Sequence, residues 1–535
     1  MPKIKDSKPA HILVRGTNWV GDAVMTLPAL RALAEACPDS RLTVLTRSWA
    51  ADIYRGQPGV EAILADDHRG VLGRSGLLGL ARKLKALHFD LAVLFQNAFG
   101  AALTSALARI PQRWGYARDG RSFLLTRAVE LQPADRLAHE SFYYLELLER
   151  LGFPAPFSQP RLILSPEAVR EADKIWREAG PGDWSAPLLL APGAAFGSAK
   201  RWPVRNFAAA AEIILKTQPS GTVILGSRGE IPVAGELAKL LPGPVLNLAG
   251  RTSLAISMAV MARGKLLLTN DSGLMHLGGA LNVPLVAVFG PTNPRATAPL
   301  GRSRIIRSRA ACAPCLKREC PLERQVCFDQ VTPELAARAA LDILAPPAGR
   351  RGSPAVFLDR DGTINRDVSF LAHPDQFELL PGAARGIAAL VRHGFKAVVV
   401  TNQSGLARGL FTREDLRQIH ARMTSLLAQE GARLAGLYLC PHHPEGTVLS
   451  LARECDCRKP ESALYEQAAR ELSIDLSRSI WVGDRQRDLQ AAAKFGGRSI
   501  LVLTGYGLEE ARGSLEFQPT LVAPDLRRAA EWIVS

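Results

Sequence analysis

Long apolar runs are absent from this sequence of 535 residues: none approaches the ~18 residues that a membrane-spanning helix needs. The opening stretch MPKIKDSKPAHILVRG is basic, and charge returns before an apolar core of signal-peptide length can form, so a cytoplasmic chain is expected. Aromatic residues make up only 6%, and no basic-aromatic motif of a nucleic-acid-binding module occurs, so no nucleic-acid partner is expected. No short-period repeat is present, which excludes a solenoid. Cysteines number eight, and without an export signal a secreted disulfide framework is implausible. Seven of them fall into two tight groups, which points to metal or redox chemistry, while Cys37 stands alone in a helical stretch as a small buried apolar residue. Hydrophobic content of 47% and charged content of 22% are ordinary for a globular chain, and the length suggests three or four units. Lys plus Arg (66) exceeds Asp plus Glu (51) by 15, a basic balance that favours an anionic partner without choosing one.

From His11 onward, strand and helix alternate. HILVRG reads as a buried parallel strand and residues 22–36 as an amphipathic helix; RLTVLTR and FDLAVLFQ follow, with a helical stretch at 77–88 between them. This pattern predicts open parallel sheets covered on both faces, an α/β fold. A long helical stretch is expected from about Leu137 through Arg177. The alternation restarts with PLLLAPG, GTVILGS, KLLLTND and PLVAVFG, so two α/β units flank a cleft. The segment 345–354, rich in Pro, Gly and Arg, reads as an exposed linker. Beyond it AVFLDRDG, KAVVVTNQSG, SIWVGD and SILVLTG supply another parallel sheet. The expected divisions are 1–175, 176–344 and 355–535.

The strongest chemical signal is FLDRDGTIN (357–365). An apolar strand delivers Asp359 and Asp361 at its C-terminal end, where open α/β sheets bind ligands. Two residues apart on an extended strand, they point to the same side, which suits one as nucleophile and the other as acid-base, both near a cation. Thr401 follows the strand AVVV and can donate its hydroxyl to a phosphate oxygen. Lys459 can neutralise charge, and Asp484 ends the strand in WVGDRQRD. Strand-end carboxylates with a lysine and a hydroxyl fit phosphoryl transfer on Mg²⁺. In CPHHPEGTVLSLARECDCRKP, Cys440, His442, Cys455 and Cys457 make a Cys₃His set suited to structural Zn²⁺, with His443 as the competing ligand and unlinked reduced thiols as the plain alternative. Arg458 and Lys459 follow the last ligand directly, so the metal would fix a loop delivering both cations.

In its order of motifs this region resembles the haloacid dehalogenase phosphatase superfamily. The resemblance implies that Asp359 attacks phosphorus to form an aspartyl phosphate and that Asp361 protonates the leaving alcohol and then activates water. It further implies Mg²⁺ on Asp359, Asp484 and the backbone carbonyl of Asp361, with Asp488 supporting the helix start or the metal shell. The zinc insert, with TNQSGLARG and VGDRQRDLQAA, is similar to that of the heptose-1,7-bisphosphate 7-phosphatases over residues 355–535. That likeness implies substrate contacts from Asp367, Val368, Ser369, Phe370, Thr401, Asn402, Gln403, Ser404, Arg458 and Lys459. Arg485 stands where relatives often have Lys, keeping the charge with a different hydrogen-bond geometry. Histidinol-phosphate phosphatases share a similar zinc loop, so another phosphomonoester remains the alternative substrate.

In the first two thirds, RGTNWVGDAVMTLPALRAL follows the first strand and enters a helix near Asp22. APGAAFGSAKRWP carries Lys200 and Arg201 after the strand that opens the second unit. In LLLTNDSGLMHLGGAL, Asp271, Ser272 and Gly273 lie at a helix start, where backbone N–H groups can cradle phosphate. NWVGD, the AKRWP segment and TNDSGLMH together resemble the bacterial lipopolysaccharide heptosyltransferases, over about residues 11–344. This implies a GT-B pair of Rossmann-like domains, inversion at the anomeric carbon and ADP-heptose as donor. Asp22 would be the base, Lys200 would stabilise the leaving diphosphate, and Asp271, Ser272, Gly273 and His276 would line the nucleotide-sugar site. Ala195 stands where some relatives have an acidic residue. Asp22 could instead cap its helix. The group Cys312, Cys315, Cys320 and Cys327 has the spacing of a possible Cys₄ zinc site, with reduced structural cysteines or a redox role as alternatives. The two resemblances together imply a bifunctional enzyme of surface-polysaccharide synthesis acting on sugar phosphate, ADP-heptose and a phosphorylated glycolipid at the inner face of the cytoplasmic membrane.

Overall fold

The computed structural model describes residues 9–67, 76–180, 182–308, 310–345, 352–513, 515 and 517–535. Short runs of Leu, Ile, Val and Ala buried on both faces form the central strands, while edge strands such as Val60–Ala65 are partly exposed. Most covering helices come from amphipathic stretches, but the first, Val20–Ala36, expected to be amphipathic, is buried continuously from Ala23 to Leu30. Among the described residues, eighteen strands make three six-stranded sheets, parallel throughout.

The first sheet contains β1 (His11–Arg15), β2 (Arg41–Thr46), β3 (Val60–Ala65), β4 (Leu91–Leu94), β5 (Gln112–Tyr116) and β6 (Arg127–Val129), in the order β3-β2-β1-β4-β5-β6. The second contains β7 (Leu188–Ala191), β8 (Thr222–Ile224), β9 (Val245–Asn247), β10 (Leu266–Asn270), β11 (Leu285–Phe289) and β12 (Ser303–Arg307), in the order β12-β11-β10-β7-β8-β9. The third contains β13 (Ala355–Leu358), β14 (Lys396–Asn402), β15 (Gly436–Cys440), β16 (Ile480–Gly483), β17 (Arg498–Val502) and β18 (Leu521–Ala523), in the order β15-β14-β13-β16-β17-β18. All three are one doubly wound order. In each, the chain reverses direction across the sheet between its first and fourth strands, which opens a crevice at their C-terminal ends. The crevices lie at β1/β4, β7/β10 and β13/β16.

The chain divides into two compact units. The first two sheets belong to one (1–131, 144–155 and 159–346) and the third sheet to the other (132–143, 156–158 and 347–535). Of the expected linker, residues 346–351 lie outside the described residues. The helix Pro166–Glu178 runs across the expected 175/176 division, and its Asp173 pairs with Arg263 at 2.7 Å. The long helix expected over 137–177 is not one element. Helices Glu140–Arg150 and Pro166–Glu178 are separated by an irregular stretch, because Gly152 takes φ 91° and prolines at 154, 156 and 160 remove donors and fix the chain extended. Beneath the third sheet the core holds an aromatic cluster, with Phe357 5.1 Å from both Tyr465 and Trp481, and Phe495 stacked on Trp481 at 6.0 Å. Among the described residues no helix is long and apolar enough to cross a membrane.

Candidate active sites

The crevice at β13/β16 is a pocket of about 300 Å³. Asp359 follows β13 and Asp484 follows β16. Thr401 lies within β14, whose end leads into the pocket loop, and Lys459 arrives from the loop after Cys457. Lys459 Nζ lies 2.6 Å from Asp359 Oδ1 and 2.7 Å from Asp488 Oδ1, and it donates to the Val400 carbonyl at 2.9 Å. Burial works against its charge, but Asp359 and Asp488 outweigh it and hold the ammonium above the ordinary lysine range. Asp359, Asp484 and Asp488 bring carboxylate oxygens within 4.8 Å of one another. Burial and the crowding of Asp488 and Asp359 push Asp484 up to about 8. Asp359 is pushed up to about 6 by burial, against the pull of Lys459 and with the push of Asp488 and Asp361. A β-carbon on Gly362 (φ 76°) or Gly505 (φ 53°) would sit 2.2 Å from Asp484 Oδ2, so only glycines leave room for this carboxylate.

Asp361 is held apart from that trio. Arg360, 1% exposed, reaches its Oδ2 at 2.7 Å, while Asn365 and Gln403 donate to it at 3.0 Å each. Burial would raise this carboxyl, but Arg360, Asn365 and Gln403 reverse the effect and hold it below the usual range. Arg360 also contacts His420 Nε2 at 3.2 Å, and burial plus that guanidinium push His420 down to about 4, so it stays neutral.

Of the sequence-predicted contacts, Asp367, Ser369, Phe370, Thr401, Asn402, Gln403, Ser404, Arg458, Lys459 and Arg485 line the pocket. Val368 does not; it is exposed. Asn402 braces the wall, exchanging hydrogen bonds with the Lys459 backbone at 3.1 and 3.2 Å. Arg487 and Tyr506 were not anticipated, and Arg485 stacks on the Tyr506 ring at 3.5 Å. Asp488 accepts from the Arg485 N–H at 3.1 Å, so it both starts its helix and joins the acidic trio.

Cys440, His442, Cys455 and Cys457 close into a compact group beside this pocket. The Cys440–Cys455 and Cys455–Cys457 sulfurs are 3.5 and 3.3 Å apart, and His442 Nδ1 lies 3.3 Å from Cys457 Sγ and 3.9 Å from Cys440 Sγ. Zn–S bonds of ~2.3 Å give tetrahedron edges of about 3.8 Å, so the donors fit a four-coordinate zinc ion. His443 turns away to Arg408. Arg458 donates to the His442 carbonyl at 3.2 Å, tying the pocket cation to the metal loop.

The other unit contains a cleft of about 790 Å³ at the β1 and β7/β10 strand ends, lined by Asp22, Lys200, Asp271, Ser272, Gly273 and His276 together. Asp22 lies in the first turn of the helix Val20–Ala36, whose N-cap is Trp19, and its carboxylate accepts from its own backbone N–H. Burial pushes Asp22 up to about 6, with Lys200 pulling the other way. Lys200 Nζ pairs with Asp271 Oδ2 at 2.6 Å, and Thr292 donates to the same oxygen at 2.6 Å. Ser272 is the N-cap of the helix Gly273–Ala280 with no side-chain cap bond. Gly273 and Gly21 allow close approach: a β-carbon would sit 2.9 Å from Val20 Cβ in the first case and 2.7 Å from His276 Cδ2 in the second. Sequence reasoning missed the Ser227–Glu230 turn, Thr252–Ser257, Trp19 and Trp49, which also line the cleft and carry no phosphate-like signature. Cys312, Cys315, Cys320 and Cys327 line a separate pocket of about 150 Å³, and burial plus the other three thiols push Cys327 up to about 11.

A family profile described as glycosyltransferase family 9 (heptosyltransferase) matches residues 77–325, and a HAD-hydrolase-like profile matches residues 456–529. The D-glycero-beta-D-manno-heptose-1,7-bisphosphate 7-phosphatase of Photorhabdus laumondii is 46% identical over 157 residues, 29% of this chain and 83% of that protein. The enzyme of the same name from Escherichia coli K12 is 40% identical over 183 residues, 34% and 88% of the two chains. Among solved structures, E. coli ADP-heptose LPS heptosyltransferase II superposes with a TM-score of 0.53 at 27% identity, over 62% of this chain and 98% of that one. A family 9 glycosyltransferase from Veillonella parvula shares the fold with a TM-score of 0.56 at 23% identity, over 63% and 97%.

Proposed function

Since the chain belongs, through its C-terminal third, to the heptose-1,7-bisphosphate 7-phosphatases of the haloacid dehalogenase superfamily and carries a family 9 heptosyltransferase domain ahead of it, we propose that it performs both reactions with the residues described above. The phosphatase would remove the 7-phosphate of D-glycero-D-manno-heptose 1,7-bisphosphate. The transferase would move heptose from ADP-heptose to the inner core of lipopolysaccharide.

In the phosphatase, a carboxylate oxygen of Asp359 attacks phosphorus, and the departing sugar oxygen takes its proton from Asp361. Water, deprotonated by Asp361, then hydrolyses the aspartyl phosphate. Arg360, Asn365 and Gln403 hold Asp361 as a carboxylate, the form that takes a proton from water. The phosphate dianion arriving beside it raises its proton affinity for the first step. Lys459 orients Asp359 and faces the transferring group. The crowded Asp359, Asp484 and Asp488 carboxylates, with glycines clearing space around Asp484, fit a divalent cation such as Mg²⁺. When bound, that ion would offset the charge on the phosphoryl oxygens. Cys440, His442, Cys455 and Cys457 would hold structural Zn²⁺ and with it the Arg458–Lys459 loop.

In the transferase, Asp22 takes the acceptor hydroxyl proton as that oxygen attacks the anomeric carbon from the face opposite the departing ADP, which inverts the configuration. Lys200 and the N–H groups at Ser272 and Gly273 face the leaving diphosphate. The excess of 15 basic charges favours a phosphorylated glycolipid acceptor at the inner face of the cytoplasmic membrane, reached by electrostatics.

The observation that carries this reading is the meeting of Asp359, Lys459 and the acidic trio at one switch point. Phosphate release from a panel of sugar bisphosphates and histidinol phosphate, measured beside ADP release from ADP-heptose on the same protein, tests it. Preference for histidinol phosphate would defeat the substrate assignment.

A further inference from the structure

The second cysteine group touches the loop that presents Lys200. The Ala199 N–H donates to the Arg318 carbonyl at 3.0 Å, and Gln325 donates to the Ser198 carbonyl at 2.9 Å. A β-carbon on Gly197 would sit 2.2 Å from that same Arg318 oxygen, so the two loops lie backbone against backbone. The Phe196 ring lies 4.8 Å from Lys200 Nζ and 5.4 Å from the Arg318 guanidinium, on the same pair of loops. Ala199 is also a wall of the small pocket that Cys312, Cys315, Cys320 and Cys327 share.

We propose that these four cysteines bind one tetrahedral divalent metal, Zn²⁺, and that the metal fixes the 312–327 loop as the seat of Lys200. Among the described residues their sulfurs are not drawn within 4.8 Å of one another as the Cys440 group is. Cys327 is buried and Cys320 half-buried, whereas Cys312 and Cys315 are exposed, so metal binding would have to draw the outer pair of thiols in toward the inner pair. Each thiol that ligates gives up its proton to solvent, and four thiolates on Zn²⁺ carry two net negative charges. Lys317, Arg318 and Arg324 stand on the same loop to offset them. A pocket of about 150 Å³ lined by all four cysteine residues is the second observation, independent of their spacing in sequence. The effect on transfer rests on the reading of Lys200 as the group facing the leaving diphosphate.

The test is zinc counting on the full-length protein by atomic absorption, together with ADP affinity by calorimetry. Wild type is expected to hold two zinc ions per chain. Cys315→Ser and Cys455→Ser should each hold one, and the buried but ungrouped Cys37→Ser should hold two. Cys315→Ser should also weaken ADP binding by about 10-fold, in the range seen when a metal site's support is lost, with phosphatase turnover unchanged. Stepwise titration of wild type with a mercurial needs no variant to fold and should release one zinc before the other. An equal zinc count in wild type and Cys315→Ser, or the loss of two thiols to a disulfide in wild type, overturns the site. Loss of one zinc with unchanged ADP affinity overturns the brace. Lys200→Ala separates the readings: with both zinc ions retained, unchanged ADP affinity defeats the role given to Lys200 and leaves the zinc count to decide the site.

Discussion

Two lysines sit at switch points of sheets with the same strand order, yet their surroundings differ. Lys459 lies between Asp359 and Asp488 in a pocket of about 300 Å³, with Asp484 close by and pushed up to about 8. Lys200 pairs with the carboxylate of Asp271 in a cleft of about 790 Å³ lined by Trp19, Trp49, Phe196 and Leu274 as well as by polar groups. The smaller site concentrates negative charge around a group that must form and lose a covalent bond to phosphorus, which needs a cation to complete it. The larger one spreads a few polar groups over apolar walls, the composition of a site that holds a large ligand by surface and orients it by a few hydrogen bonds. One fold thus hosts a reaction that passes through a covalent enzyme intermediate and one that transfers its group directly, decided by what its strand-end loops carry.

The sharpest way to break this contrast is Asp359→Asn. An amide cannot attack phosphorus, so phosphate release should fall by about 10⁴-fold or more while ADP release is unchanged. Loss of both activities in a folded protein would mean that the two sites are not independent.

Asp22→Asn comes next. Transfer should fall by about 10²–10⁴-fold with donor binding retained, measured by calorimetry beside turnover. The pH profile sharpens this. Burial raises Asp22 from 3.8 to about 6, so its base form is lost as pH falls through about 6, and transfer should decline there in wild type. For stability the sign is opposite to that of a paired carboxylate. The folded chain binds the extra proton between 3.8 and about 6, so ionised Asp22 costs stability at neutral pH. The thermal midpoint of Asp22→Asn at pH 7.5 should therefore not drop, whereas loss of a helix cap would lower it. A variant that transfers at the wild-type rate would move the base elsewhere.

Cys455→Ser should remove one zinc ion and slow the phosphatase by about 10–100-fold through the Arg458–Lys459 loop, leaving transfer unaffected. The smallest effect is expected from Arg485→Lys. Losing the stack on Tyr506, worth ~1 kcal/mol, should change the KM for the bisphosphate by roughly fivefold with kcat nearly constant.

The strand-end motifs were legible because βα alternation and short-range carboxylate spacing are local. Asp359, Asp361, Lys459 and Asp484 could be named from sequence and are brought to one pocket. The shared strand order of the three sheets was not legible, since pairing of β1 with β4 or β13 with β16 depends on contacts that no local pattern encodes. The same limit hid the ion pair of Asp488 with Lys459, which places Asp488 in the acidic trio. It hid the guanidinium of Arg360, whose position between two aspartates gives no hint that it turns inward onto one of them. Of the contiguous motif 367–370, Val368 is exposed and does not line the pocket that Asp367, Ser369 and Phe370 line, a distinction that the sequence pattern does not encode. The 312–327 loop was separated from Lys200 by more than a hundred residues in sequence and meets its loop directly in space.

The paired glycines at the base of the transferase cleft have a mechanical meaning. With no side chain at Gly273 or Gly21, the start of one helix rests on Val20 and the start of the other admits His276, so two elements from different sheets meet without a spacer. Such a contact is a fulcrum. Any rocking of one sheet against the other would turn about it, so the spacing between the carboxylate of Asp22 and the N–H groups at Ser272 and Gly273 would vary least. Lining residues farther from this contact, such as Trp49 and Arg228, would move more, so the width of the cleft would change more than its catalytic spacing.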